Sequence, residues 1–164
     1  SGKSVISTDE MVQKIRSAVD SRHDGDFQII ARTDAIAVEG IEAALERAHR
    51  YIEAGADVTF VEAPRTMEDI CRIPRELPAP QILNLVHGGR TPQVEQAEIA
   101  EIGYAAVLYA NAALQGALQA VTEIMGHLRE LGSLTGITDR LASFEARQNV
   151  VKKPFYDDLE TRYS

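Results

Sequence analysis

An α/β fold with parallel strands is predicted by three observations. Short apolar strand candidates recur along the chain. Each is followed by a segment with apolar residues at helical spacing, and no linker or low-complexity stretch interrupts the alternation. Ser7 or Thr8 with Glu10 offers a capping-box start, and Met11, Ile15, Ala18 and Val19 share one face of a helix over residues 8–21. The polar turn 21–26 leads to a strand at Phe27–Ala31. A second helix spans Gly40 to Ala54, with Ile41, Ala44, Leu45, Ala48, Tyr51 and Ile52 on its face and Gly55 as its C-cap. Val58–Val61 is the next strand, and Thr66 caps a short helix to Ile73. Gln81–Val86 is a third strand, and Thr91-Pro92 opens a helix with proline in its first turn. Ala105–Tyr109 is the fourth strand. The long helix after it places Leu114, Ala117, Leu118, Val121, Met125 and Leu128 on its inner face and ends near Gly132; from Thr138 one amphipathic helix and a polar tail follow.

Strands alternating with helices require right-handed crossovers and hence a parallel sheet. A small doubly wound domain satisfies this, and so does half of a (β/α)8 barrel. A complete barrel needs about 250 residues, more than the 164 present. Periodicity does not choose between the two.

The 17 basic and 25 acidic side chains give a net charge of -8, which repels phosphate backbones and argues against nucleic acid or an anionic membrane surface as partner. An anionic ligand must therefore meet a local basic group. Cys71 is the single cysteine, so no disulfide forms within a chain; its helical position suits a packed, inert thiol. Neither an apolar leader nor a membrane-length apolar stretch is read from the sequence, and a cytoplasmic protein is expected.

Ligands in parallel α/β proteins sit at the carboxyl ends of strands. Those ends carry Arg32 in Ala31-Arg32-Thr33-Asp34-Ala35, Glu62 in Val61-Glu62-Ala63-Pro64, and Asn84 in Asn84-Leu85-Val86-His87-Gly88-Gly89-Arg90-Thr91-Pro92. A guanidinium gives bidentate carboxylate recognition, a glutamate accepts from a hydroxyl or relays a proton, and an amide orients a carboxylate or carbonyl. Each residue also has a purely structural alternative. Arg32 can pair with Asp34, Glu62 and Asn84 can serve as strand-end caps, and His87 can be a solvated loop histidine. Gly88-Gly89 matches no nucleotide-loop spacing, and His23, His49 and His127 have no second ligand at metal spacing.

The strings Ile30-Ala31-Arg32-Thr33-Asp34-Ala35, Ala54-Gly55-Ala56-Asp57 with Phe60-Val61-Glu62-Ala63, and Asn84-Leu85-Val86 with Gly89-Arg90-Thr91-Pro92 resemble the isocitrate lyase and phosphoenolpyruvate mutase superfamily. The opening Gly2-Lys3-Ser4-Val5-Ile6-Ser7 is similar to the segment after that family's gating loop. The resemblance implies a (β/α)8 barrel, of which residues 1–137 supply the last four βα units, with the N-terminal half of the barrel supplied elsewhere. Residues 138–164 would then be a helical arm exchanged within a homotetramer.

It further implies a carbon-carbon lyase acting on a small 2-hydroxy or 2-oxo dicarboxylate through an enolate, with Mg2+ as cofactor. Oxaloacetate decarboxylase or hydrolase, phosphonomutase, and a catalytically incomplete half-barrel are the alternatives. By the same resemblance Arg32 binds substrate carboxylate, Glu62 acts beside the substrate hydroxyl, and Asn84, Leu85 and Val86 form a carboxylate-binding segment. The family's metal ligands and general acid fall in segments that this sequence does not match, so metal ligands are unassigned. Where 2-methylisocitrate lyases carry a further substrate-binding arginine this sequence has Gln115, which implies a substrate smaller than a tricarboxylate.

Overall fold

The computed structural model describes residues 2–163. The chain divides into two compact units, one extending to Ala112 and one from Ala113 onward.

The first unit is built from four strands, each preceded by a helix. Helix α1 (Thr8–Ser21) starts at Ser7, whose hydroxyl accepts from the Glu10 amide, and buries Val12 and Ile15. Strand β1 (Ile30–Thr33) begins three residues later than the sequence reading placed it. Asp24 accounts for the delay: its carboxylate accepts from the Asp26 amide and its carbonyl from the Phe27 amide, which bends the chain and leaves Phe27 67% exposed. Asp57 then accepts from the Ile29 amide and from Arg22 Nη1, fixing where the strand starts.

Helix α2 (Ile41–Glu53) buries Ala44, Leu45, Ala48 and Tyr51. Its Arg47 is also buried, donating to both oxygens of Glu39 and to the Ile6 carbonyl at 2.9 Å, which holds the N-terminal segment against the helix. Gly55 closes α2 at φ 104°, where an added Cβ would lie 2.9 Å from Val19 Cγ2. Only glycine suits both the left-handed turn and the packing of α1.

Strand β2 (Val58–Val61) is followed by α3 (Met67–Glu76), opened by a capping box between Thr66 and Asp69. This helix continues through Pro74 rather than stopping near Ile73. Proline lacks the amide that would bond the carbonyl four residues back, on Ile70. Tyr104 supplies the missing donor: its hydroxyl donates to Ile70 O at 3.0 Å, and burial pushes its phenol well above the usual tyrosine range.

Strand β3 (Ile82–Val86) leads to α4 (Gln96–Ile102), which starts beyond Thr91-Pro92; residues 91–95 are irregular and Thr91 is buried. Strand β4 (Ala106–Ala110) ends the unit. β1 pairs with β2 and β3 with β4, all parallel. The pairs are joined by the Thr59↔Gln81 bridge, where Thr59 Oγ1 donates to Gln81 Oε1 at 2.8 Å. Strand order thus follows chain order without reversal. The main core contains Val61, Ile70, Ile73, Leu83, Leu85 and Ile99.

The second unit begins with α5 (Ala112–Leu131), which buries none of its residues. The face expected to point inward is open: Leu114, Leu118, Val121 and Met125 are exposed and Leu128 is half-buried. Its apolar spacing is helical as read, but nothing within its own unit covers it. The single helix expected after Thr138 is instead a 3-10 turn (Thr138–Arg140) and two helices, α6 (Phe144–Val150) and α7 (Lys153–Tyr163). Ser143 caps α6, and Lys152, at φ 53°, breaks the chain between them. No helix among the described residues is long and apolar enough to cross a membrane.

Candidate active site at the strand carboxyl ends

The register of the strands brings three predicted side chains together. Arg32 pairs with Phe60 across β1 and β2, and Glu62 follows directly after β2, its amide donating to Thr33 O. Asn84 projects from β3 on the same side. Asn84 Nδ2 lies 3.4 Å from both Glu62 oxygens, and Arg32 Nη2 lies 3.4 Å from Glu62 Oε2. Glu62 is 12% exposed at its side chain, so it faces these two donors rather than bulk water.

Arg32 is also held by Asp34, the pairing that the sequence offered as its structural alternative. Nε donates to Oδ1 at 2.8 Å and Nη2 to Oδ2 at 3.4 Å, while the guanidinium stacks 5.0 Å from the Phe60 ring centre. The Asp34 bond, with Glu62 nearby, raises the Arg32 pKa against the opposing effect of burial. Asp34 is lowered chiefly by the Arg32 bond, with Lys3 adding to it: Lys3 Nζ donates to Oδ2 at 2.6 Å. Two residues along a strand share a face, so the sequence could show Asp34; Lys3 lies 31 residues away and gave no local signal.

Asn84 Oδ1 is buried and has no hydrogen-bond partner among the described residues. Buried polar atoms are nearly always satisfied, so a vacant acceptor beside a glutamate and an arginine marks where a ligand donor would sit. Leu85 is buried in the core, which leaves only its backbone for ligand contact. Val86 ends the strand, its carbonyl accepting from the Gly89 amide and Gln93 Nε2. Gln115 lies on exposed surface of α5 in the second unit, and His87 is exposed after β3.

The resemblance brought Mg2+ with it, and the donor set here does not fit a metal. Asp34 is taken by Arg32 and Lys3, Glu62 faces Arg32 and Asn84, and no cluster of three His, Cys, Asp or Glu among the described residues could hold an ion.

Sequential parallel strands with an arginine, a glutamate and an asparagine gathered at their carboxyl ends define an α/β protein with a candidate site where such folds carry theirs. The family model described as phosphoenolpyruvate phosphomutase matches residues 1–129, and the chain belongs to that family. It is 36% identical over 163 residues to 2,3-dimethylmalate lyase of Eubacterium barkeri, covering 99% of this chain and 56% of the relative. It is 40% identical over 160 residues to 2-methylisocitrate lyase of Shewanella oneidensis, covering 98% and 54%.

Among solved structures, oxaloacetate acetylhydrolase with 3,3-difluorooxalacetate superposes with a TM-score of 0.84 at 31% identity, covering 100% of this chain and 56% of that one. Phosphonopyruvate hydrolase with oxalate and Mg2+ gives 0.82 at 29%, covering 97% and 57%. The chain spans about half the length of the curated relatives it matches. The lyase relatives bear out the superfamily that the sequence strings suggested.

Proposed function

We propose that this chain supplies the last four βα units of a (β/α)8-barrel lyase, and with them the carboxylate-binding half of its site. The substrate is a small 2-hydroxy or 2-oxo dicarboxylate cleaved at a carbon-carbon bond. The observation that carries the proposal is the convergence of Arg32 and Asn84 on Glu62, with Asn84 Oδ1 left vacant.

A retro-aldol cleavage removes a hydroxyl proton while the carbon-carbon electron pair passes into an enolate. Arg32 would hold the retained carboxylate, Glu62 would accept from the reacting hydroxyl, and Asn84, whose Nδ2 faces Glu62, would offer its vacant Oδ1 to a donor on the substrate. Unreversed strand order supports the barrel, as do apolar side chains left open on its two outer strands, Ile30 on β1 and Leu108 and Tyr109 on β4. Residues 138–164 would serve as the arm of a cytoplasmic homotetramer. Gln115, a neutral amide, suits two acidic groups better than three. Mg2+ belongs in the assay because the related phosphonopyruvate hydrolase structure holds it together with oxalate.

The test is product analysis of the protein, as encoded in its source, with dimethylmalate, methylisocitrate, oxaloacetate and phosphonopyruvate in the presence of Mg2+. Cleavage of a dicarboxylate to pyruvate or a related oxo acid is expected, with dimethylmalate preferred over methylisocitrate. Arg32→Ala should lower kcat/KM by roughly 10- to 150-fold, the equivalent of about 1.5 to 3 kcal/mol for a hydrogen bond to a charged group. Arg32→Lys should rescue only in part, because an ammonium lacks the planar fork. Turnover of none of the four compounds, or wild-type kinetics in both variants, would refute the proposal.

A further inference from the structure

Beside the Arg32 cluster lies a cavity of about 440 Å³, lined by Gly2, Lys3, Ala37, Ala63, Arg65 and Arg90. Its walls come from the N-terminal segment and from the turns after β1, β2 and β3, all at the carboxyl ends of the strands. Ala63 takes a left-handed φ of 59°, uncommon for a residue with a side chain, in the turn that leads from Glu62 to Arg65.

The charges divide unevenly between the cluster and the cavity. Arg32 and Lys3 share Asp34, and Arg32 also faces Glu62, so those two cations and two anions sum to zero. Neither the Arg65 nor the Arg90 guanidinium has an ion pair or hydrogen bond among the described residues. In a chain of net charge -8, with acidic side chains in excess, two guanidinium groups lining one cavity without an acidic partner among the described residues offer a local site for an anion. The Asp34–Lys3 pair links the two features, since Lys3 touches Asp34 and lines the cavity.

We propose that this cavity binds the second acidic group, carboxylate or phosphonate, of the diacid whose first carboxylate lies on Arg32. The assignment rests on the carboxylate-binding reading of that cluster and deepens it. Arg32 recognises any small carboxylate, whereas Arg65 and Arg90 select for diacids.

The experiment is titration calorimetry of the protein as encoded in its source with malonate, phosphonoacetate and, as monoacid control, acetate. Arg65→Gln with Arg90→Gln should weaken malonate or phosphonoacetate by about tenfold or more, the loss of one charge-assisted contact, and leave acetate within about twofold. A loss confined to one diacid supports the proposal and names the acidic group. The charge-keeping pair Arg65→Lys and Arg90→Lys should retain most of the diacid preference, which separates a binding role from misfolding. Unchanged diacid affinity in the glutamine variant, or acetate falling by the same factor, would overturn the assignment. Arg32→Ala should weaken all three ligands; if it weakens none while the glutamine pair still loses diacid, the Arg32 reading fails and the cavity stands as an anion site alone.

Discussion

Arg32 commits its guanidinium to Asp34 and Glu62 while its face lies over Phe60, so on the proposed role it would be positioned in advance of a ligand. Pre-positioning removes part of the rotamer entropy that a free arginine loses on binding, and it depends on Asp34 staying ionised. Asp34 sits below its ordinary value of 3.8, mainly through the Arg32 bond. A carboxylate with a depressed folded pKa stabilises the fold above the unfolded value, and that stabilisation disappears as pH falls through the lowered folded value. Urea unfolding midpoints measured from about pH 5 to about pH 2 should therefore fall less steeply for Asp34→Asn than for the parent. Parallel curves would mean that the Lys3–Asp34–Arg32 chain contributes nothing to the native state. The sequence showed Arg32, Glu62 and Asn84 because each stands at a strand end. It did not show Lys3 or Phe60 as companions of Arg32, because Lys3 reaches Asp34 from 31 residues away and Phe60 meets Arg32 only through strand register.

Helix α3 shows how an element can override its own local signal. Pro74 argues for a stop near Ile73, yet the helix continues because the orphaned Ile70 carbonyl finds Tyr104 Oη, 34 residues on. Tyr104→Phe should cost about 1 to 3 kcal/mol, since Ile70 is fully buried and its carbonyl would lose its donor. In a Pro74→Ala background the helix regains a backbone amide at that position, and the penalty of Tyr104→Phe should shrink by more than about 0.5 kcal/mol in a double-mutant cycle. Equal penalties in both backgrounds would show that the hydroxyl and the proline are unrelated. β2 was legible to the residue because Asp57 and Ala63-Pro64 punctuate it, and α1, α2 and α5 because their periodicity runs for three turns or more. β1 was misplaced because Asp24 delays its start, and α4 because residues 91–95 stay irregular up to Glu95, which makes no side-chain cap. The break between α6 and α7 depends on a left-handed Lys152, which no composition signal announces.

At the scale of the molecule, β1 and β4 each pair on one edge only. Leu108 and Tyr109 on β4 are 44% and 52% exposed, an apolar edge of the kind that soluble proteins usually cover or charge. If these units complete a barrel, β4 becomes an interior strand, and Leu108 passes from half-exposed to buried. Leu108→Lys distinguishes the two situations. In residues 1–164 expressed alone, a lysine there sits partly in water and should change the unfolding temperature by little, while reducing self-association through the open edge. In the protein as encoded in its source, the ammonium would be buried without a partner, a penalty of several kcal/mol and a fall in Tm on the order of 10 °C. Calorimetry on both forms gives the comparison. A fall of the same small size in each would leave Leu108 at the surface in the complete protein and would contradict closure of a barrel at β4.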